Sequence, residues 1–215
     1  MVAPYTVPSV AAADQLLGDL ALATVRIADY DPADAHGAAA MVKVETPVSE
    51  ELAAELDGAT EWLGVPTDEI LLAALTRTIA RTLGEGVVRI DIASNRGSLL
   101  DAVPLPCVGP QRATAAEVLS AVHRALAGAT ESVAAENSEI YFNLVGEAPA
   151  GSAAVSDTPP GLGHALELRV YRADGDLRID WWYDTSRFEG YTVVELSEQF
   201  PLAIVEIASD ALPVS

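Results

Sequence analysis

The chain has 215 residues, half of them apolar, with 12 Lys and Arg against 32 Asp and Glu, a formal net charge of -20. That length and apolar content suffice for a sizeable core, read here as one domain behind a loose N-terminal arm. The acidic field repels phosphate backbones and anionic headgroups, so the sequence predicts neither a nucleic-acid nor a membrane partner. Cys107 is the only cysteine, which rules out an internal disulfide and a thiolate-rich metal site, and no metal or cofactor is expected. No basic leader with an apolar core begins the chain and no apolar run is long enough to span a bilayer, so a cytoplasmic location is expected.

Residues 1–39, with Pro4, Pro8, Pro32 and Gly37, read as an arm or linker with one short helical possibility over 12–22. The domain proper is expected over 40–215. MVKVE at 41–45 alternates as a half-buried strand does, and Pro47 ends it. Ser49 is the expected N-cap of a helix over 49–63 with Leu52, Leu56 and Leu63 inward, closed by Gly64. Thr67 is the expected cap of a second helix, whose Leu71, Leu75, Ile79 and Leu83 recur every fourth residue beside Ile70 and Leu72; so broad an apolar surface predicts burial on most sides.

Gly84 and Gly86 stop that helix, a strand follows over 87–93, and the proline-rich stretch 103–110 is expected to be extended or loop. A third helix is predicted over 114–126 with Val118, Leu119, Val122 and Leu126 inward, then a strand over 140–145 and a long loop over 147–163. Segments 166–171 and 177–183 flank a turn containing Asp174-Gly175 and read as a hairpin. A last helix over 191–208 contains Pro201, which should kink or split it. The order predicts an α/β fold of α+β type, a mixed sheet with helices packed on one face.

Four segments in this order resemble the C-terminal subdomain of nonribosomal-peptide-synthetase condensation domains, in the chloramphenicol-acetyltransferase-like superfamily. PTDEILLAALTRTIARTLG at 66–84 is similar to the family's helix of t-x-x-d-x-L-L-A-A-L type, and VVRIDIASNRG at 87–97 resembles its segment ending in N-R or H-G-R. EIYFNLVGE at 139–147 is similar to the F-N-Y-L-G segment, and LRIDWWYDTSRFE at 177–189 to the strand before the final helix.

The resemblance implies one half of a pseudodimer whose two halves enclose a tunnel for phosphopantetheine-tethered substrates brought by carrier proteins. The family's H-H-x-x-x-D-G motif lies in the other half, and none of His36, His123 and His164 has an aspartate four residues on. The resemblance therefore implies no catalytic residue in this chain and leaves open whether it serves an enzyme. It implies a noncatalytic or half-enzyme protein of peptide or related lipid biosynthesis, partnered by a second condensation-like half, by its own copy, or by a carrier protein. The alternative is a carrier-protein or small-ligand binding module that kept the groove and lost acyl-transfer chemistry.

By the same resemblance, Arg96 matches the arginine that pairs with the motif's aspartate across the two halves, against the plain reading of a solvated strand-end arginine. Asn143 and Gly146 match the asparagine and glycine of F-N-Y-L-G and, with His164, Trp181 and Trp182, are candidate tunnel or groove residues. For Asn143 the plainer role is tying down a strand edge, and for the tryptophans core packing of at least one, since successive strand residues face opposite sides. His123 reads as a helix-surface histidine and Cys107 as a small apolar packing residue rather than a reactive thiol.

Overall fold

The computed structural model describes residues 24–34, 37, 39–93, 99–129, 138–148 and 163–210. Its elements run β1 (Met41–Thr46), α1 (Glu50–Leu63), α2 (Thr67–Thr82), β2 (Gly86–Ala93), β3 (Leu99–Cys107), α3 (Ala115–Gly128), β4 (Ile140–Ala148), β5 (Leu166–Ala173), β6 (Asp176–Asp184) and α4 (Gly190–Asp210). The six strands form one mixed sheet in the order β1-β6-β5-β4-β2-β3. β4 runs parallel to both β2 and β5, and the other pairs are antiparallel. The α/β class with helices on the sheet is therefore as expected.

Local chemistry explains most boundaries. The Ser49 side chain accepts the Leu52 N–H, and Gly64 closes α1 in the left-handed region at φ 62°. Thr114 and Glu117 form a reciprocal capping box on α3. Asp174 and Gly175, at φ 54° and 89°, make the two-residue turn between β5 and β6, both positive as a type I′ hairpin requires. Pro104 and Pro106, which donate no hydrogen bond, lie in β3 at the sheet edge, where proline is tolerated.

Three expectations change. Thr67 does not cap α2: Pro66 occupies the N-cap position, with no side-chain bond, and Thr67 is the first helical residue. Proline presets the extended entry into the helix, and the Asp68 carboxylate accepts the Glu69 N–H at 3.0 Å instead. Second, Pro201 does not split α4, which runs as one helix through it. The Ser197 carbonyl, which an amide at 201 would have bonded, accepts the Thr46 hydroxyl at 3.1 Å, and that hydroxyl oxygen accepts the Trp181 indole N–H at 2.7 Å. The tertiary structure thus repairs the bond that proline removes.

Third, the described part of the arm is packed down. Val25, Ile27 and Ala28 are buried in the core, and the Val25 N–H donates to the Val87 carbonyl at 2.9 Å. The Asp29 carboxylate accepts the Glu189 N–H at 2.8 Å and the Thr192 hydroxyl at 3.1 Å, capping the start of α4 from a distant part of the chain. The helical possibility over 12–22, the loop core 149–162 and His36 lie outside the described residues.

The helices pack on one another as one layer, with α2 at its centre. Every residue from Glu69 to Ile79 is buried, including Arg77. Its guanidinium pairs with Glu206 of α4 at 3.0 Å and donates to the Ala113 carbonyl at 2.8 Å and to the Val108 carbonyl. No described helix is long and apolar enough to cross a membrane.

Candidate functional site

Strand alternation divides the sheet into two chemically different faces. Under the helices stand Val44, Trp181, Leu168, Phe142 and Ile92, neighbours across five strands by register. Trp181 is fully enclosed there, edge-on to Phe200 at 5.4 Å. One residue along each strand, the opposite face carries a row of different character, Lys43, Trp182, Glu167, Tyr141 and Asp91. A second row beside it holds Glu45, Asp180, Arg169, Asn143 and Ala93. A sheet with one helical layer usually sends solvated polar residues to its far side. Here Trp182, Glu167, Arg169, Asp180, Tyr141 and Asp91 are all buried.

These buried polar groups are held in pairs. Glu167 Oε1 accepts from Arg169 Nε at 3.1 Å and Nη2 at 2.9 Å. Lys43 Nζ lies 5.8 Å from the Trp182 ring centroid and 2.8 Å from Glu45. Asp180 accepts the Tyr171 hydroxyl at 3.2 Å, with Lys43 at 3.9 Å. Burial pushes the Glu167 carboxyl above its usual range, with Arg169 opposing the shift, and burial likewise raises Asp180 against the pull of Lys43.

A carboxyl whose folded pKa is raised binds more protons folded than unfolded, so its contribution to stability is full below the unfolded pKa and is lost as pH rises through the folded one. E167Q should therefore flatten the decline of unfolding free energy above about pH 4.3 relative to the parent chain, followed by urea titration at several pH values. An unchanged slope would remove Glu167 as its source.

At the β2–β4 end of the first row stands a histidine–aspartate pair. The β2–β3 register slips between Ile90 and Ile92, so Asp101 and Ala102 of β3 both stand opposite Asp91. Ala102 takes a positive φ of 49°, uncommon for a residue with a Cβ, and its N–H donates to Asp91 Oδ1 at 2.7 Å. Asp91 Oδ2 lies 2.6 Å from His164 Nε2. The imidazole stacks on Tyr141 with centroids 5.2 Å apart and planes 21° from parallel.

The other sequence candidates fall in different places. Asn143 is half-buried in the second row, on an interior strand rather than an edge. Gly146, at φ 79°, sits at a bulge between β4 and β5 and lines a separate pocket of about 270 Å³ with Leu56, Pro66 and Tyr171. Trp182 belongs to the charged face and Trp181 to the core, so the two tryptophans do not share one groove. Arg96 lies outside the described residues. His123 is an exposed helix residue whose Nδ1 meets Glu69 at 3.0 Å.

Cys107 is fully buried, and burial pushes its thiol far up, so it is no nucleophile. It should react with a thiol reagent only after unfolding; labelling of the native chain as fast as of the denatured chain would refute its enclosure. Among the described residues, no group of three or more His, Cys, Asp or Glu side chains is placed to hold a metal ion.

The sequence reading missed Asp91, Tyr141, Glu167, Arg169 and Asp180 as site residues. A signal existed: in LELRVYR at 166–172, Glu167, Arg169 and Tyr171 alternate with Leu168 and Val170, which puts them on one face.

The fold is that of condensation domains of peptide and polyketide synthetases, here about half of one. The epimerization domain from the third module of tyrocidine synthetase B superposes with a TM-score of 0.58 at 17% identity, over 98% of this chain and 61% of that one. The condensation domain of the enacyloxin polyketide synthase gives 0.60 at 14% identity, over 84% and 43%. In sequence the chain is 33% identical, over a 219-residue alignment, to one of the proteins making up the phenolphthiocerol/phthiocerol polyketide synthase of Mycobacterium tuberculosis. That alignment covers 80% of this chain, which spans only 15% of the relative's length. No protein-family model matches the chain.

Proposed function

We propose that this chain is one half of a condensation module in a nonribosomal-peptide or polyketide assembly line, noncatalytic by itself, completing a site with a second half or with its own copy. The observation that carries this reading is the pairing of half a condensation fold with the absence of H-H-x-x-x-D-G from the sequence. The second half would supply the histidine and its aspartate, and Arg96 would hold that aspartate in register. Carrier proteins bearing phosphopantetheine would present the substrates, and Asn143, His164 and Trp182 would border the groove between the halves.

Size-exclusion chromatography with light scattering tests this. The expected result is a dimer, or a monomer that forms a one-to-one complex with a chain carrying H-H-x-x-x-D-G. A strictly monomeric chain that binds no such partner would overturn it. The alternative, a carrier- or ligand-binding module, draws support from two buried atoms of the charged face, Trp182 Nε1 and His164 Nδ1, which have no hydrogen-bond partner among the described residues. Carrier proteins are usually acidic and this chain carries -20, so contact would have to be made through apolar or arginine-lined surface. Titration with a phosphopantetheine-loaded carrier protein decides that reading, and no binding at high protein concentration removes it.

A further inference from the structure

We propose that Asp91 and His164 form a built hydrogen-bond acceptor site, with His164 Nδ1 receiving an O–H or N–H of a small neutral polar ligand enclosed against the charged sheet face. This goes beyond the assembly-line reading and does not depend on it. A carboxylate oxygen accepts, so the contact of Asp91 Oδ2 with Nε2 at 2.6 Å places a proton on Nε2, and in the neutral imidazole Nδ1 then carries the lone pair. Every element of the pair is fixed. Asp91 Oδ1 is held by the Ala102 N–H, whose strand is bulged into a positive φ to deliver it. The ring is held from its face by Tyr141, and the side chain is only 10% exposed.

Nδ1 is nevertheless without a partner among the described residues, and it is enclosed rather than open to bulk water. Buried acceptors in native structures are normally satisfied, so a rigidly presented exception points to a ligand. A second observation agrees. Trp182 Nε1, a donor on the same face, is also buried and unpartnered, and its strand lies two positions from that of Tyr141, roughly 10 Å at ordinary strand spacing. The face therefore offers one acceptor and one donor. Between them Glu167 and Arg169 are engaged with each other.

The test is nitrogen-15 NMR of the imidazoles in the full chain, with His36, His123 and His164 assigned by His→Gln variants and N-acetylethanolamine as the neutral probe. The expected result is an Nε2–H tautomer for His164 and a saturable shift of its Nδ1 signal, with the exposed His123 unmoved. D91N keeps an oxygen for Ala102 but can present an amide N–H to the ring, so it should abolish both the tautomer preference and the shift. Y141F keeps the stack and should preserve both. An Nδ1–H tautomer, a shift that survives D91N, or an Nδ1 signal that the probe leaves unmoved would overturn the proposal; the last is the result expected if a trapped water is the partner.

Discussion

R77M is expected to destabilise the fold by about 3–5 kcal/mol, the range for breaking a buried ion pair from one side. The measurement is the urea midpoint, at unchanged slope so that a change in stability is separated from a change in the unfolded chain. The side chain is completely enclosed, and its guanidinium serves the Glu206 carboxylate of α4 and two carbonyls of the 108–113 segment. Methionine fills much of the volume but supplies none of those donors. Arg81 also reaches Glu206, at 2.5 Å, so part of the carboxylate's compensation survives.

The double variant R77M/E206M should recover part of the loss, because it removes the stranded charge along with its partner. R77K keeps the charge but lacks the planar fork needed to serve the carboxylate and both carbonyls at once, and should fall between. An R77M midpoint equal to the parent's would mean that Arg77 does not tie α2 to α4 and the 108–113 segment.

T46V should cost about 2–6 kcal/mol, since two buried polar groups lose their partner and each orphan is worth roughly 1–3 kcal/mol. The Thr46 hydroxyl is both the donor to the Ser197 carbonyl and the acceptor for the Trp181 N–H. T46S retains the hydroxyl and should lose far less. The informative combination is T46V with P201A. Alanine at 201 restores the helical N–H for the Ser197 carbonyl, so the second change should offset part of the first, leaving chiefly the indole unpaired. Additive losses in that cycle, measured by urea unfolding, would show that the carbonyl freed by Pro201 is not what Thr46 satisfies.

Much of the fold was legible because the signals are local. Ser49 and Thr114 cap helices through their own side chains, Gly64 ends one in a left-handed turn, and Asp174-Gly175 makes the hairpin. The site was less legible. Asp91 looks like any strand aspartate until the bulge opposite it brings the Ala102 N–H to one oxygen and the segment entering β5 brings His164 to the other. His164 is 73 residues away in sequence. No window of sequence contains that meeting, and the same holds for Arg77, whose bonds reach α4 and the 108–113 segment.

By itself the sequence determined the acidity, the order of the helices and of every strand but β3, the missing histidine motif and the alternation that separates Trp181 from Trp182, because each is written in composition or in a short period. Only the tertiary structure decided what the two faces of the sheet are for. It matched Lys43, Trp182, Glu167, Tyr141 and Asp91 into one row by strand register, closed the Pro201 gap with Thr46, and drew Val25, Ile27 and Ala28 into the core. Those outcomes depend on which strands lie side by side, and pairing across a sheet is set by the packing of the whole chain rather than by any one segment.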